Sequence, residues 1–63
     1  MKSKFVAGDL VKHIKSGNIY RILHYAVFEL NGRPCYVYSG DDGTIWVRAA
    51  AEMEDGRFVH WLV

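Results

Sequence analysis

The sequence predicts an all-β domain, for two reasons. Short runs of β-branched and aromatic residues recur along the 63 residues, and clusters of Gly, Asp and Asn separate them. The clearest case lies within Pro34–Met53, where the runs Cys35–Tyr38 and Thr44–Val47 flank the turn-forming cluster Ser39–Gly43. Asp and Gly tolerate the left-handed backbone angles that a tight return requires. We therefore predict an antiparallel hairpin here, with the other strands laid beside it.

Two strands are predicted before this hairpin. Asp9–Ile14 alternates apolar and polar residues between two turn-forming stretches. Ile19–Leu30 is the longest β-like run, and Asn31-Gly32 ends it with a strong hairpin signal. Apolar residues also lie at helical spacing between Ile19 and Glu29, so an amphipathic helix is the alternative there. The β-branched and aromatic content favours the strand.

A helical turn and a last strand are predicted after the hairpin. Ala49–Met53 has helix propensity but spans little more than one turn, so we expect a single 3-10 or α turn. After a turn at Asp55-Gly56, the alternation of Arg57–Val63 predicts the last strand. Five strands with one helical turn before the fifth is the arrangement of a small SH3-like barrel. Residues 1–63 are interpreted as one such domain.

Composition limits the class of function. Eight Lys and Arg against seven Asp and Glu give a net charge of +1, which disfavours nonspecific duplex binding. One cysteine excludes an internal disulfide, and no paired Cys/His spacing indicates zinc. Neither a secretory signal nor a membrane-length apolar window is present, so we predict a cytoplasmic protein without a membrane partner. A chain this small, 51% hydrophobic, is expected to self-associate.

Two blocks of the chain resemble a family of small uncharacterised bacterial and phage proteins. Its His-x-Lys-x-Gly-x-x-Tyr opening is matched by His13, Lys15, Gly17 and Tyr20. Its Tyr…Gly-Asp-x-Gly-x-x-Trp-Val-Arg-Pro…Glu-Met core is matched by Tyr38, Gly40, Asp41, Gly43, Trp46, Val47, Arg48, Glu52 and Met53. The chain departs at Ala49, where the family has Pro, and by two additional residues before Glu-Met. The resemblance implies a compact β fold and a phage or mobile-element origin, and no activity.

A weaker resemblance is to the plasmid-borne type II dihydrofolate reductases, which are SH3-like tetramers. It is carried by Gly8–Val11, by Lys15–Gly17 and by a late apolar strand followed by Ala-rich residues. Their active pore depends on a Gln-Ile-Tyr tripeptide, and this chain has Ile45-Trp46-Val47 at the comparable place. Because the Gln that would hydrogen-bond pterin and nicotinamide is missing, the resemblance implies the fold without the reductase activity.

The predicted binding surface is aromatic and basic, and comprises Tyr36, Tyr38, Trp46, Arg48 and Arg21. Tyr36 and Tyr38 share one face of their strand by the two-residue period, and Trp46 shares a face with Arg48. Aromatic rings beside an arginine can stack bases or hold a peptide side chain. The alternative is that these rings fill the core.

The last strand supplies the predicted oligomer edge, which comprises Phe58, Val59, Trp61 and Val63. An unpaired apolar strand edge is a docking strip for another chain. We therefore predict a non-enzymatic interaction module that self-associates or binds a host protein. A single-stranded nucleic-acid-binding protein and an enzyme with its site at an oligomer pore are the alternatives.

No catalytic residue, cofactor or metal ligand is predicted. His13, His24 and His60 are scattered singly, without a second ligand at metal-binding spacing. Asp41 and Asp42 are explained by turn formation, because consecutive carboxylates on a solvent-facing turn have no cleft for acid–base chemistry.

Overall fold

The computed structural model describes residues 3–62 and contains a single antiparallel sheet. Its elements, in chain order, are β1 (Leu10–His13), β2 (Ile19–Phe28), β3 (Arg33–Ser39), β4 (Ile45–Ala49), α1 (Ala50–Met53) and β5 (Phe58–His60). The strands lie in the order β4-β3-β2-β1-β5. The all-β prediction and the helical turn before the last strand are confirmed. Because β4 and β5 are the two edges and do not pair with each other, the sheet is open.

The predicted hairpin around Ser39–Gly43 is formed by β3 and β4. Tyr38 pairs with Trp46 and Tyr36 with Arg48, so these four side chains lie on the same side of the sheet. The turn needs Gly43, whose φ of +82° lies in the left-handed region where other residues are strained.

The amphipathic-helix alternative for Ile19–Glu29 is wrong, because β2 is a ten-residue strand paired on both sides. Its first residues pair with β1, and from Arg21 onward it pairs with β3. The register between β2 and β3 shifts between Ile22 and His24, which leaves Leu23 as the extra residue of a β-bulge. The bulge preserves the inward direction of both Ile22 and Tyr25, whose partners Tyr38 and Tyr36 face the core.

The core lies on one side of the sheet, called here the inner face. Its buried members come from the N-terminal segment, from all strands but β4, and from α1, namely Phe5, Val11, Ile22, Tyr36, Tyr38, Ala50, Met53 and Phe58. Tyr20 packs against this cluster while half-buried. Burial of this apolar surface is the main stabilising contribution to the fold. The molecule is small, with a long axis of 33 Å.

The last strand is shorter than predicted. It covers Phe58–His60 only, although the Trp61 N–H still donates to the Leu10 carbonyl at 2.9 Å. Phe58 is 1% exposed and belongs to the core, so its assignment to an oligomer edge is wrong. The reason is the two-residue period of the strand, which turns Phe58 inward while Val59 points outward. Val63 lies outside the described residues.

Candidate functional site

Tyr36 and Tyr38, predicted as part of a binding surface, lie in the core at 0% and 6% exposure. The Tyr36 hydroxyl accepts a hydrogen bond from the Phe5 N–H at 3.1 Å and donates one to the Glu54 carboxylate. Burial, and then this hydrogen bond, raise the pKa of Tyr36 to about 12. This buried phenol is satisfied both as hydrogen-bond donor and as acceptor. It links the N-terminal segment to the end of α1, and it is not accessible to a ligand.

Tyr38 forms the centre of an aromatic cluster beneath the start of β2. The Tyr20 ring meets it edge-on, with centroids 5.3 Å apart, and the Phe58 ring lies at 6.0 Å. Burial raises the pKa of Tyr38 as well. The core alternative for the two tyrosines is the one that the structure supports.

The remaining three residues of the predicted surface are divided between the two sides of the sheet. Trp46 is 49% exposed at the rim of the inner face, and Arg48 follows it along β4 on the same side. Arg21 pairs with Ser39, which pairs with Ile45, and this row lies on the opposite side. That side is called here the outer face. The structure therefore does not assemble the five residues into one surface.

The arginines near the inner rim already have carboxylate partners. Arg48 Nε lies 3.1 Å from Glu52 Oε1, and Arg57 approaches both Glu52 and Asp55, at 3.6 and 3.2 Å. The Arg48 guanidinium also lies over the Phe58 ring, 5.5 Å from its centroid. Arg48, Arg57 and Asp55 line an open cleft of about 760 Å³ that also includes His13 and Lys15. A phosphate backbone would have to compete with the internal carboxylates, which weakens the nucleic-acid alternative.

Two residues predicted for the oligomer edge are partly exposed at the end of the chain. Val59 and Trp61 are 39% and 41% exposed, and Lys12 Nζ lies 5.2 Å from the centroid of the Trp61 ring. A lysine over an indole covers part of that ring and brings charge to this edge.

A second apolar surface, which the sequence analysis did not single out, lies on β4. Ile45 and Val47 are 62% and 63% exposed on the outer face, and their partners on β3 are Ser39 and Val37. We call Ile45, Val47, Val37 and Ala49 the β4 patch. None of its side chains is charged, and β4 is an edge strand. The alternation of Ile45-Trp46-Val47-Arg48 was the available signal, but it does not tell which of its two sets faces inward.

The histidines do not converge. His13 Nδ1 lies 2.8 Å from the Ser16 hydroxyl, and His60 Nε2 lies 3.2 Å from Asp9 Oδ2. Among residues 3–62, no group of three or more His, Cys, Asp and Glu side chains is placed to hold a metal ion.

Over the described range, no helix is both long and apolar enough to cross a membrane. Comparisons of the chain with protein-family models, with curated proteins and with solved structures found no match.

Proposed function

We propose that this protein is a small, non-enzymatic interaction module of the cytoplasm that self-associates through the β4 patch. The observation that carries the proposal is the edge strand itself, because Ile45, Trp46 and Val47 are consecutive and each is about half or more exposed. An unpaired edge with apolar side chains on both faces is the arrangement that soluble proteins ordinarily cover or interrupt with charge.

A second copy of the chain is the partner that this strip fits. The four side chains of the β4 patch carry no charge, so the patch itself fits an apolar surface; Arg21 lies in the same row as Ile45, with Ser39 between them. Two identical edges related by a two-fold axis present the same apolar row to each other and can add main-chain hydrogen bonds between antiparallel β4 strands. One continuous sheet across two copies would bring Ile45 and Val47 of each copy beside those of the other, so that cross-strand contacts cover part of each side chain.

The modest core favours the same proposal. Nine hydrophobic residues are buried, whereas twelve large hydrophobic residues among residues 3–62 are exposed. A core in a chain of this length rarely supplies more than about 3–5 kcal/mol, and oligomerisation is a common remedy. Covering part of the exposed set at a dimer interface would add burial that the single chain lacks.

We further propose that the sheet curves as an SH3-like barrel, of the phage or mobile-element type that the sequence resembles. The strand order, with α1 between the two edge strands, supports this topology. The contact of Arg48 on β4 with Phe58 on β5 bridges the open side between them.

The test is the solution mass of two matched lysine variants. Val47 and Val27 are both strand valines, at 63% and 66% exposure, but Val27 lies near the far end of β2 and outside the β4 patch. We expect light scattering to give a dimer or higher multiple for the wild type and for Val27→Lys, and a monomer for Val47→Lys. Circular dichroism checks that both variants remain folded.

Two results would contradict the proposal. One is a wild-type chain that stays monomeric at the highest soluble concentration. The other is a folded Val47→Lys variant with the wild-type mass, which would direct attention to the β5 edge and its Val59 and Trp61.

A further inference from the structure

A small cavity on the inner side of β4 has a chemistry that self-association does not use. It has a volume of about 210 Å³ and lies between the start of β2 and the β3–β4 turn. Its lining residues are Asn18, Ile19, Tyr20, Gly40, Asp41, Asp42 and Trp46. Two aromatic rings and two carboxylates thus meet in one hollow, and no Lys or Arg among residues 3–62 lines it.

One aromatic wall of the cavity, the Tyr20 ring, is held in place by the fold. Tyr20 is fixed edge-on against the buried Tyr38, and its ring also lies over Gly40, where an added Cβ would come within 3.4 Å of Tyr20 Cε1. The Asn18 amide reaches the Tyr20 hydroxyl at 3.4 Å. Trp46, which is half-exposed, also lines the cavity. One aromatic surface is therefore already in position for a flat group before a ligand binds.

The carboxylates are available for a ligand. Neither Asp41 nor Asp42 forms an ion pair with any residue in the 3–62 range, and Arg21, which lines the adjoining hollow with Asp41, does not reach it. Asp42 Oδ1 accepts a hydrogen bond from the Thr44 N–H at 2.9 Å, which lowers the pKa of the carboxyl. The carboxylate is therefore ionised at neutral pH and carries a negative charge at the cavity.

We propose that this cavity binds the guanidinium group of an arginine side chain presented by a partner protein. A guanidinium is planar and weakly hydrated, so it stacks on Trp and Tyr faces and forms paired hydrogen bonds with carboxylates. An ammonium is compact and strongly hydrated and gains less from two aromatic walls. The inference goes beyond the proposed self-association, because Trp46 faces the inner side whereas Ile45 and Val47 face the outer side.

The test uses three small probes and one fluorescent reporter. Trp61→Phe removes the second tryptophan and leaves Trp46 as the only indole in the chain. N-acetyl-arginine amide is expected to change the Trp46 emission with a Kd of roughly 1–10 mM, a value typical of one isolated side-chain contact. N-acetyl-citrulline amide has nearly the same shape without the charge, and N-acetyl-lysine amide has the charge without the plane.

Matched carboxylate variants assign the effect to the cavity. The double change Asp41→Asn and Asp42→Asn keeps an acceptor for the Thr44 N–H and should weaken arginine binding about tenfold, by removing two charges. Asp55→Asn is the control, because Asp55 makes the same kind of turn hydrogen bond to the Arg57 N–H at 3.1 Å but lies outside the cavity. It should leave binding unchanged.

Several results would overturn the assignment. The first is a Trp46 response to the citrulline or the lysine amide as large as the response to the arginine amide. The others are unchanged arginine binding in the double variant, and no response to the arginine amide at any soluble concentration. The same titration in a Val47→Lys background separates the two proposals, because loss of self-association there should leave arginine binding in place.

Discussion

Removing one oxygen from the core provides the most demanding test of this structure. In Tyr36→Phe the ring keeps its place at 0% exposure, and no cavity of side-chain size is created. The change deletes the acceptor of the Phe5 N–H and the donor to the Glu54 carboxylate. Its effect therefore measures polar contacts, separately from hydrophobic packing.

The magnitude follows from these two contacts. A hydrogen bond to a charged group contributes about 1.5–3 kcal/mol, and a buried N–H left without an acceptor costs about 1–3 kcal/mol. The two are coupled through one hydroxyl, so we expect Tyr36→Phe to lower the free energy of unfolding by about 2–3 kcal/mol. A core in a chain of this length rarely supplies more than about 3–5 kcal/mol, so a loss of this size would be a large part of the stability.

The assay is urea denaturation followed by circular dichroism, at one protein concentration because self-association would contribute. Tyr25→Phe is the matched control. Tyr25 is 38% exposed, its ring lies 5.1 Å from that of Tyr36, and its hydroxyl makes no hydrogen bond within the described part of the chain. It should change stability by less than about 0.5 kcal/mol. Equal unfolding midpoints for the two variants would refute the reasoning.

Two further predictions use the same core. Because the folded state raises the pKa of Tyr36 from 10.0 to about 12, the protonated phenol stabilises the fold fully below about pH 10, and this contribution is lost as the pH rises toward 12. The stability difference between wild type and Tyr36→Phe should therefore be constant at neutral and mildly alkaline pH and narrow between pH 10 and 12, and a difference independent of pH there would contradict it. Phe58→Ala should lower the free energy of unfolding by about 3–5 kcal/mol and unfold the chain, whereas the same change at the 50% exposed Phe28 should lower it by less than about 1 kcal/mol. Thermal melts of the two variants measure the difference. A folded Phe58→Ala variant with the wild-type melting temperature would be inconsistent with the place of Phe58 in the core.

Local sequence signals were sufficient for the strands and turns. The Asp-Asp-Gly turn and its two flanking runs predicted the β3–β4 hairpin, because the requirement for a positive φ at Gly43 can be read from residue type alone. The short helix was predictable because Ala49–Met53 has helix propensity but spans little more than one helical turn. The β2 strand was predictable from its β-branched and aromatic content, in spite of a competing helical spacing.

The direction of side chains was not predictable in the same way. On β3, both Cys35/Val37 and Tyr36/Tyr38 are apolar, so alternation offers two sets and the choice depends on what packs against them. The partners that settle it, Phe5 and Met53, come from distant parts of the chain. On β4 the same ambiguity concealed the outward apolar pair, since Trp46 was the conspicuous residue of that strand. The cavity beside Trp46 forms where the β3–β4 turn lies against the start of β2. The spacing of residues along the sequence does not predict that contact.

The β2–β3 hairpin extends beyond the part of the sheet that rests on the core. At its far end Val27, Phe28 and Leu30 are 66%, 50% and 84% exposed, and residues from Ala26 onward on β2 have a neighbouring strand on one side only. Main-chain amides there are protected only by hydrogen bonds between β2 and β3. Brief local opening of this two-stranded end should therefore let them exchange with deuterium long before the amides at the centre of the sheet do. That end of the hairpin is thus the natural position for an inserted epitope or a fluorophore, since a graft at Asn31-Gly32 would leave the packing around Tyr36 undisturbed.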